Sequence, residues 1–213
     1  MPSLKAIRNR IKSVRNTQKI TKAMKLVAAA KLRRAQDAVG AARPYATRIR
    51  EVIGGIASSV DPEAYPLFRT TAHPRKCLLV PMTSDRGLAG AFNSSIIRRT
   101  EAFLREQKSA YEEIGVAPIG RKGRDYFRRR NVPVYAELRE LITGPNQPSA
   151  QAVARELTRL FLDGEVDQVF LVFNEFKSAL TQVVCVEPLL PLSAELFASG
   201  DAGAQDTADV KYE

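Results

Sequence analysis

The chain of 213 residues has two cysteines, one histidine and no tryptophan. These shortages exclude most bond-making chemistry. His73 stands alone beside Pro74, leaving a metal ion without a ligand set and a serine or cysteine nucleophile without a base. Cys77 and Cys185 fall in separate strand-like apolar runs and read as buried free thiols, not as a functional pair. The sequence contains no G-x-x-x-x-G-K-[ST] phosphate loop and no G-x-S-x-G elbow. No run approaches about 18 consecutive apolar residues, so none reads as a membrane-spanning helix, and the N-terminus lacks the apolar core of a secretion signal. No cofactor and no catalytic residue is expected.

Acidic residues are nearly missing from the first fifty positions. Residues 1–50 hold 14 Lys and Arg against Asp37 alone, net +13, whereas the remainder has 19 basic and 22 acidic residues, net −3. The basicity is therefore regional. Leu4, Ile7, Ile11, Val14, Ala28, Leu32, Ala35 and Val39 fall on one helical stripe, with Lys5, Arg8, Lys12, Arg15, Lys19 and Arg33 mostly opposite. A second apolar flank opens with Ile20, Met24, Val27, Ile49 and Ile56, and a polar stretch, Asn16 to Lys19, interrupts the pattern. The spacing predicts one helix from about Ser3 to Ser58, roughly 80 Å long at ~1.5 Å per residue, a length suited to a coiled-coil arm or shaft. Ser3 is the expected N-cap, and Pro44 predicts a kink between Gly40 and Tyr45. The expected unit is 1–58.

After a Pro-rich loop, Asp61 to Pro74, the pattern changes. Lys76 to Met82 reads as a buried strand, followed by a turn at Ser84 to Gly90 and a helix to about Ala110. Glu113 to Ile119 reads as a strand, Arg121 to Arg130 as a short helix and Val132 to Tyr135 as another strand. Pro148 to Leu162 reads as a helix. Val166 to Phe173 and Ala179 to Val186 are the last strands, joined through Asn174 to Ser178. The expected class is α/β, a long N-terminal coiled-coil helix plus a mixed-sheet domain over 75–198, with a polar tail over 199–213. None of the later helices matches the first in length, so its apolar stripe requires a partner from elsewhere.

Two features invite a functional reading beside a structural one. Glycines in Thr83-Ser84-Asp85-Arg86-Gly87-Leu88-Ala89-Gly90 could expose N–H groups to an anion, but a tight turn with Ser84 or Asp85 capping the following helix is the simpler account. Arg121, Lys122, Arg124, Arg128, Arg129 and Arg130 form a second basic cluster, read first as a solvated face, with an acidic partner or nucleic acid as alternatives.

The stretch Arg10-Ile11-Lys12-Ser13-Val14-Arg15-Asn16-Thr17-Gln18-Lys19-Ile20-Thr21-Lys22-Ala23-Met24-Lys25-Leu26-Val27-Ala28-Ala29-Ala30-Lys31 resembles the opening helix of the gamma subunit of F-type ATP synthases. Thr83 to Asn93 is similar to that family's turn after its first strand. A third likeness runs from Phe173 to Gln182 and on to Pro188-Leu189-Leu190-Pro191-Leu192. The three occur in the family's order and cover essentially the whole chain.

The resemblance implies a rotor subunit of the central stalk, which transmits torque between the membrane c-ring and the alpha and beta subunits and makes no bonds itself. It also implies influence on ATPase activity and proton flow, contact with the epsilon subunit, and a peripheral place on the cytoplasmic face of the bacterial inner membrane. By the same resemblance Lys19, Lys22, Ala23, Met24 and Lys25 face acidic loops of the beta subunits, Arg8, Arg10 and Lys12 contact the ring, and Asp85, Arg86 and Gly87 organise the domain or its stalk contacts. The family's C-terminal helix, which would pair with the first, has no counterpart before Glu213. A start at Met1 without an Arg/Ser-rich presequence suggests a bacterial form. The competing class is a nucleic-acid-binding arm that uses the same +13 segment for phosphates. It lacks interleaved aromatics and a base-reading motif. An anion- or nucleotide-using enzyme is weaker, resting on the 83–90 turn alone.

Overall fold

The computed structural model describes residues 3–57, 61, 64–135, 138, 146–178 and 181–192. The elements run α1 (Leu4–Ala57), β1 (Lys76–Pro81), α2 (Phe92–Glu106), β2 (Glu113–Val116), α3 (Arg121–Arg129), α4 (Gln147–Leu162), β3 (Gln168–Phe176) and β4 (Gln182–Leu190). The chain divides into two compact units, Met1–Val52 and Ile53–Glu213.

The first unit is helix α1, whose 54 residues extend a few residues into the second. Ser3 starts it, its Oγ accepting the Ala6 N–H at 3.3 Å. Gly40 and Pro44 lie inside the helix without ending it. Pro44 removes one backbone bond, and the long flanking turns carry the helix across that loss. No residue of α1 is buried.

In the second unit four strands pair in the order β2-β1-β3-β4. β1 is parallel to β2 and to β3, and β3 is antiparallel to β4. The mixed α/β class follows from that pairing. β1 lies centrally, and its period-2 alternation sends successive side chains into two different cores. Leu78 and Val80 join Leu157, Leu160, Val166 and Val169 on the α4 side. Cys77 and Leu79 join Ile96, Phe103, Val116, Phe127 and Val172 on the side of α2 and α3. A strand buried on both faces reads as a continuous apolar run, which is why Lys76-Cys77-Leu78-Leu79-Val80 was legible.

Several element boundaries differ from the sequence expectation. α2 begins at Phe92 and ends at Glu106, short of Ala110. The second strand stops at Val116, with Ile119 retained only in a bridge to Met82, and the expected strand at Val132 to Tyr135 reduces to a bridge between Val116 and Val134. β3 starts at Gln168 because Asp167 is used otherwise, its Oδ2 accepting the Arg75 and Lys76 N–H groups at 2.7 and 2.8 Å. β3 then continues to Phe176 as one arm of a hairpin, where Asn174, Glu175 and Phe176 face Val184, Val183 and Gln182. β4 runs past Pro188 to Leu190, since an edge strand tolerates a residue without a donor and a register shift sits opposite at Val169/Phe170. Ala179, the expected start of that strand, and the tail 199–213 lie outside the described residues. Helix α4 is capped by Asn146, whose Oδ1 accepts the Ser149 N–H at 3.0 Å.

The two thiols also differ. Cys77 is buried as expected, but Cys185 is only half-buried on the edge strand. Burial pushes the Cys77 thiol up from 9.0 to about 12. The unfolded chain therefore loses this proton first as pH rises. The associated stability is full below about pH 9 and is lost progressively towards pH 12. In the native protein at pH 8, Cys77 should resist iodoacetamide and react at the ordinary rate in denaturant, which peptide mass mapping reports. Equal labelling in both states would show the core open at this point.

Gly115 offers a second test. A Cβ there would collide with the Tyr135 ring, which lies flat over the β2 backbone. Gly115→Ala should lower stability by about 1–3 kcal/mol, read as a lower urea midpoint with unchanged slope.

Candidate functional site

Two surfaces hold the residues singled out from the sequence, and each lies within its own unit. On α1, Arg8, Lys12, Arg15 and Lys19 recur at helical spacing along one exposed side, with Lys22 one turn on. Arg10 lies across the helix from them. Ala23, Met24 and Lys25 follow within the next turn, and Met24 is exposed. None of these nine positions makes an ion pair among the described residues.

The apolar stripe of α1 has a stricter order than first apparent. Positions 4, 7, 11, 14, 18, 21, 25, 28, 32, 35, 39, 42, 46, 49, 53 and 56 alternate by three and four residues, the spacing of a left-handed coiled-coil seam. Thirteen of these are apolar, and the exceptions are consecutive: Gln18, Thr21 and Lys25. Here the helix satisfies its own hydroxyls, as Thr17 Oγ1 donates to the Ser13 carbonyl at 3.1 Å and Thr21 Oγ1 to the Thr17 carbonyl at 2.8 Å. Ser13, Val14, Thr17, Gln18 and Thr21 line a shallow open concavity. Counting the three-four alternation across the polar gap would have singled out Gln18 and Thr21.

The second surface is the end of β1. Thr83, Ser84 and Asp85 there all meet the start of α3, and Ser84 also meets the first turn of α2. The Arg121 N–H donates to Asp85 Oδ1 at 2.9 Å, the Lys122 N–H to the Ser84 carbonyl at 3.1 Å and the Gly123 N–H to Thr83 Oγ1 at 2.8 Å. The Thr83 hydroxyl in turn donates to the Ile119 carbonyl at 3.0 Å. The expected cap is thus corrected: α2 follows Ala91 without a side-chain cap, and Asp85 caps α3. Ser84 pairs instead with Asn93, its N–H donating to Asn93 Oδ1 at 2.9 Å.

Glycine is required where the two segments touch. Gly120 has φ +91°, and a Cβ on it would meet the Thr83 carbonyl, while one on Gly123 would stand 2.9 Å from Thr83 Oγ1. In an α/β sheet this is where ligands usually sit, outside the carboxyl end of a strand flanked by neighbours reached in opposite directions. Here the first three N–H groups of α3 are taken by the chain itself. The start of α3 therefore offers an anion none of these three donors. Arg86 and Gly87 sit on the outer side of the turn, exposed, with Lys122 Cε 3.9 Å from the Cβ direction of Gly87.

Among the described residues no group of His, Cys, Asp and Glu could hold a metal ion, and no helix is long and apolar enough to cross a membrane. A long cationic helix with coiled-coil spacing, carried in the same chain as an α/β unit whose β1 end is tied to α3 by its own hydrogen bonds, fits a structural subunit of an assembly. An ATP synthase family model matches residues 3–213. The ATP synthase gamma chain of Anaeromyxobacter sp. Fw109-5 is 48% identical, with 100% of this chain and 73% of that one aligned. The gamma chain of Moorella thermoacetica is 43% identical over 100% of this chain and 72% of its own. Among solved structures, the central stalk and c-ring of Tetrahymena thermophila mitochondrial ATP synthase aligns with TM-score 0.61 and 34% identity, covering 81% of this chain and 72% of that chain. The rotor of Euglena gracilis mitochondrial ATP synthase shares the fold at TM-score 0.52 and 17% identity, over 89% and 63% of the two chains.

The chain belongs to the ATP synthase gamma family, the noncatalytic central-stalk and rotor subunits of F1, whose catalytic sites lie in the beta subunits. Such subunits are peripheral to the membrane. Nothing in these likenesses supports a nucleic-acid-binding arm.

The capping geometry makes its own prediction. Thr83→Val keeps the shape and removes the hydroxyl that serves Gly123 and Ile119, at a cost of about 1–3 kcal/mol. Asp85→Ala should cost about 1 kcal/mol. In both, amide hydrogen exchange at 121–123 should quicken before the rest of the sheet does. Unchanged protection there would mean that the turn does not hold α3.

Proposed function

We propose that this chain acts as the rotor shaft of a bacterial ATP synthase, with residues 1–58 as the shaft and 75–198 as its base. Helix α1 packs its seam along an antiparallel partner helix, and its cations meet acidic loops of the surrounding alpha and beta subunits. The base engages the epsilon subunit and the membrane c-ring, on the cytoplasmic face of the membrane. Torque passes along α1, and the angle of the shaft selects the binding state of each beta site. The chain thereby governs ATPase activity and proton flow without touching substrate.

The observation that carries this reading is the coincidence on α1 of two patterns. Where the coiled-coil seam turns polar, at Gln18, Thr21 and Lys25, the proposed ring contacts Lys19, Lys22, Ala23, Met24 and Lys25 cluster. A polar layer weakens the grip of a partner helix there and leaves the shaft surface to orientation-dependent charge contacts. Arg8, Arg10 and Lys12 extend the contact towards the helix N-terminus. Asp85, Arg86 and Gly87 work from the base, Asp85 by holding α3 and the other two by facing outward.

The test is reconstitution with alpha and beta subunits. Native mass spectrometry should give one copy of this chain with three alpha and three beta subunits. Lys19→Gln/Lys22→Gln/Lys25→Gln should assemble equally and lower turnover several-fold, and rising salt should bring wild type towards the variant. A chain that never joins the ring refutes the shaft assignment. Equal turnover in an assembled variant refutes the role of these lysines.

A further inference from the structure

The basic cluster on α3 is absorbed by neither the fold nor the shaft. Gly123 and Phe127 face the core, and Arg121, Lys122, Arg128 and Arg129 are all exposed, on the opposite arc of the helix. Asp125, the acid on that arc, is held by Arg124 at 3.0 Å. Arg130 is engaged elsewhere, stacked over the Tyr126 ring at 4.0 Å and paired with Glu101 at 3.5 Å. Among the described residues the Arg121, Lys122 and Arg129 side chains make no ion pair. Their backbone is fixed: the turn at 83–85 holds the first turn of α3, and Phe127 is fully buried.

We propose that this face of α3 is a docking surface for a short acidic segment of a protein, a second contact besides the one made by α1. Guanidinium groups without an ion pair, carried on a fixed backbone, suit carboxylates, which they bind two hydrogen bonds at a time. The cations from Arg121 to Arg129 span about 12 Å of helix, the reach of a few carboxylates on one segment. An extended polyanion fits less well. Residues 51–198 hold 18 basic and 18 acidic residues, so positive charge there is local to clusters such as this one and gives an extended polyanion no continuous track. Lys122 adjoins Gly87, which makes the patch continuous with Arg86 and with the outward side of the turn assigned to the base. The inference rests on the stalk reading, because it takes the partner from the same assembly.

A photo-reactive benzoylphenylalanine at Arg129, in the complex purified from membranes, tests it. Illumination followed by peptide mapping should join this position to a segment of a neighbouring subunit carrying at least three Asp or Glu. Adding Arg121→Glu/Lys122→Glu should lower the cross-link yield about tenfold, and Arg121→Lys, which keeps the charge but loses the paired hydrogen bonds, should lower it by less. The exposed side chains and intact backbone caps leave folding undisturbed, and Arg121→Gln/Lys122→Gln gives the milder version of the same loss. A chain present in the complex that cross-links to lipid, to a segment poor in acids, or to nothing overturns the patch and leaves the shaft standing. A wild-type chain absent from the complex overturns both.

Discussion

The approach of Thr83 to Gly120 and Gly123 is the constraint on which the rest of the α/β unit depends. Only a residue without a side chain can lie against the Thr83 carbonyl with φ +91°, and only a hydroxyl of that length can accept from Gly123 while donating to Ile119. The contact sets where β1 ends and the axis on which α3 leaves the sheet. It also brings Phe127 under the sheet, where it meets Cys77, Leu79 and Val116. A position that other α/β folds leave open for a ligand is thereby used to join strand, turn and helix. A subunit that carries load has good use for that exchange, because a closed end resists shear where an empty crevice yields.

Charge is divided unevenly along this molecule. The +13 of the first fifty residues sits on a helix without a buried side chain, and residues 51–213 are close to neutral at net −3. Desolvating so many cations inside a core would cost several kcal/mol each, so they stay outside. Within and beside its polar stretch the same helix bonds the Thr21 and Thr17 hydroxyls back to its own carbonyls.

Much of this was legible in the chain itself. The long helix announced itself by its stripe and its charge, β1 by a continuous apolar run, and α4 by its periodicity, though its cap, Asn146, came only from the structure. Three family-like stretches in order gave the stalk. What escaped were features set by residues distant in sequence: Asp85 caps a helix 36 positions on, Asp167 caps the start of β1, and Pro188 passes inside a strand because that strand lies at an edge. Read locally, Asp85 belongs to the next helix, Asp167 to a strand and Pro188 to a loop. Each was misplaced for that reason.

The sequence by itself determined the class, the length of α1, the regional charge and the absence of a catalytic constellation, since all of these follow from residue type and period. The tertiary structure alone decided the sheet order, the partners of the 83–90 turn and the exposure of one cationic face on α3. These depend on which segments come to lie together. No local period encodes that the end of β1 meets the start of α3; the fit of a threonine hydroxyl against two glycines does.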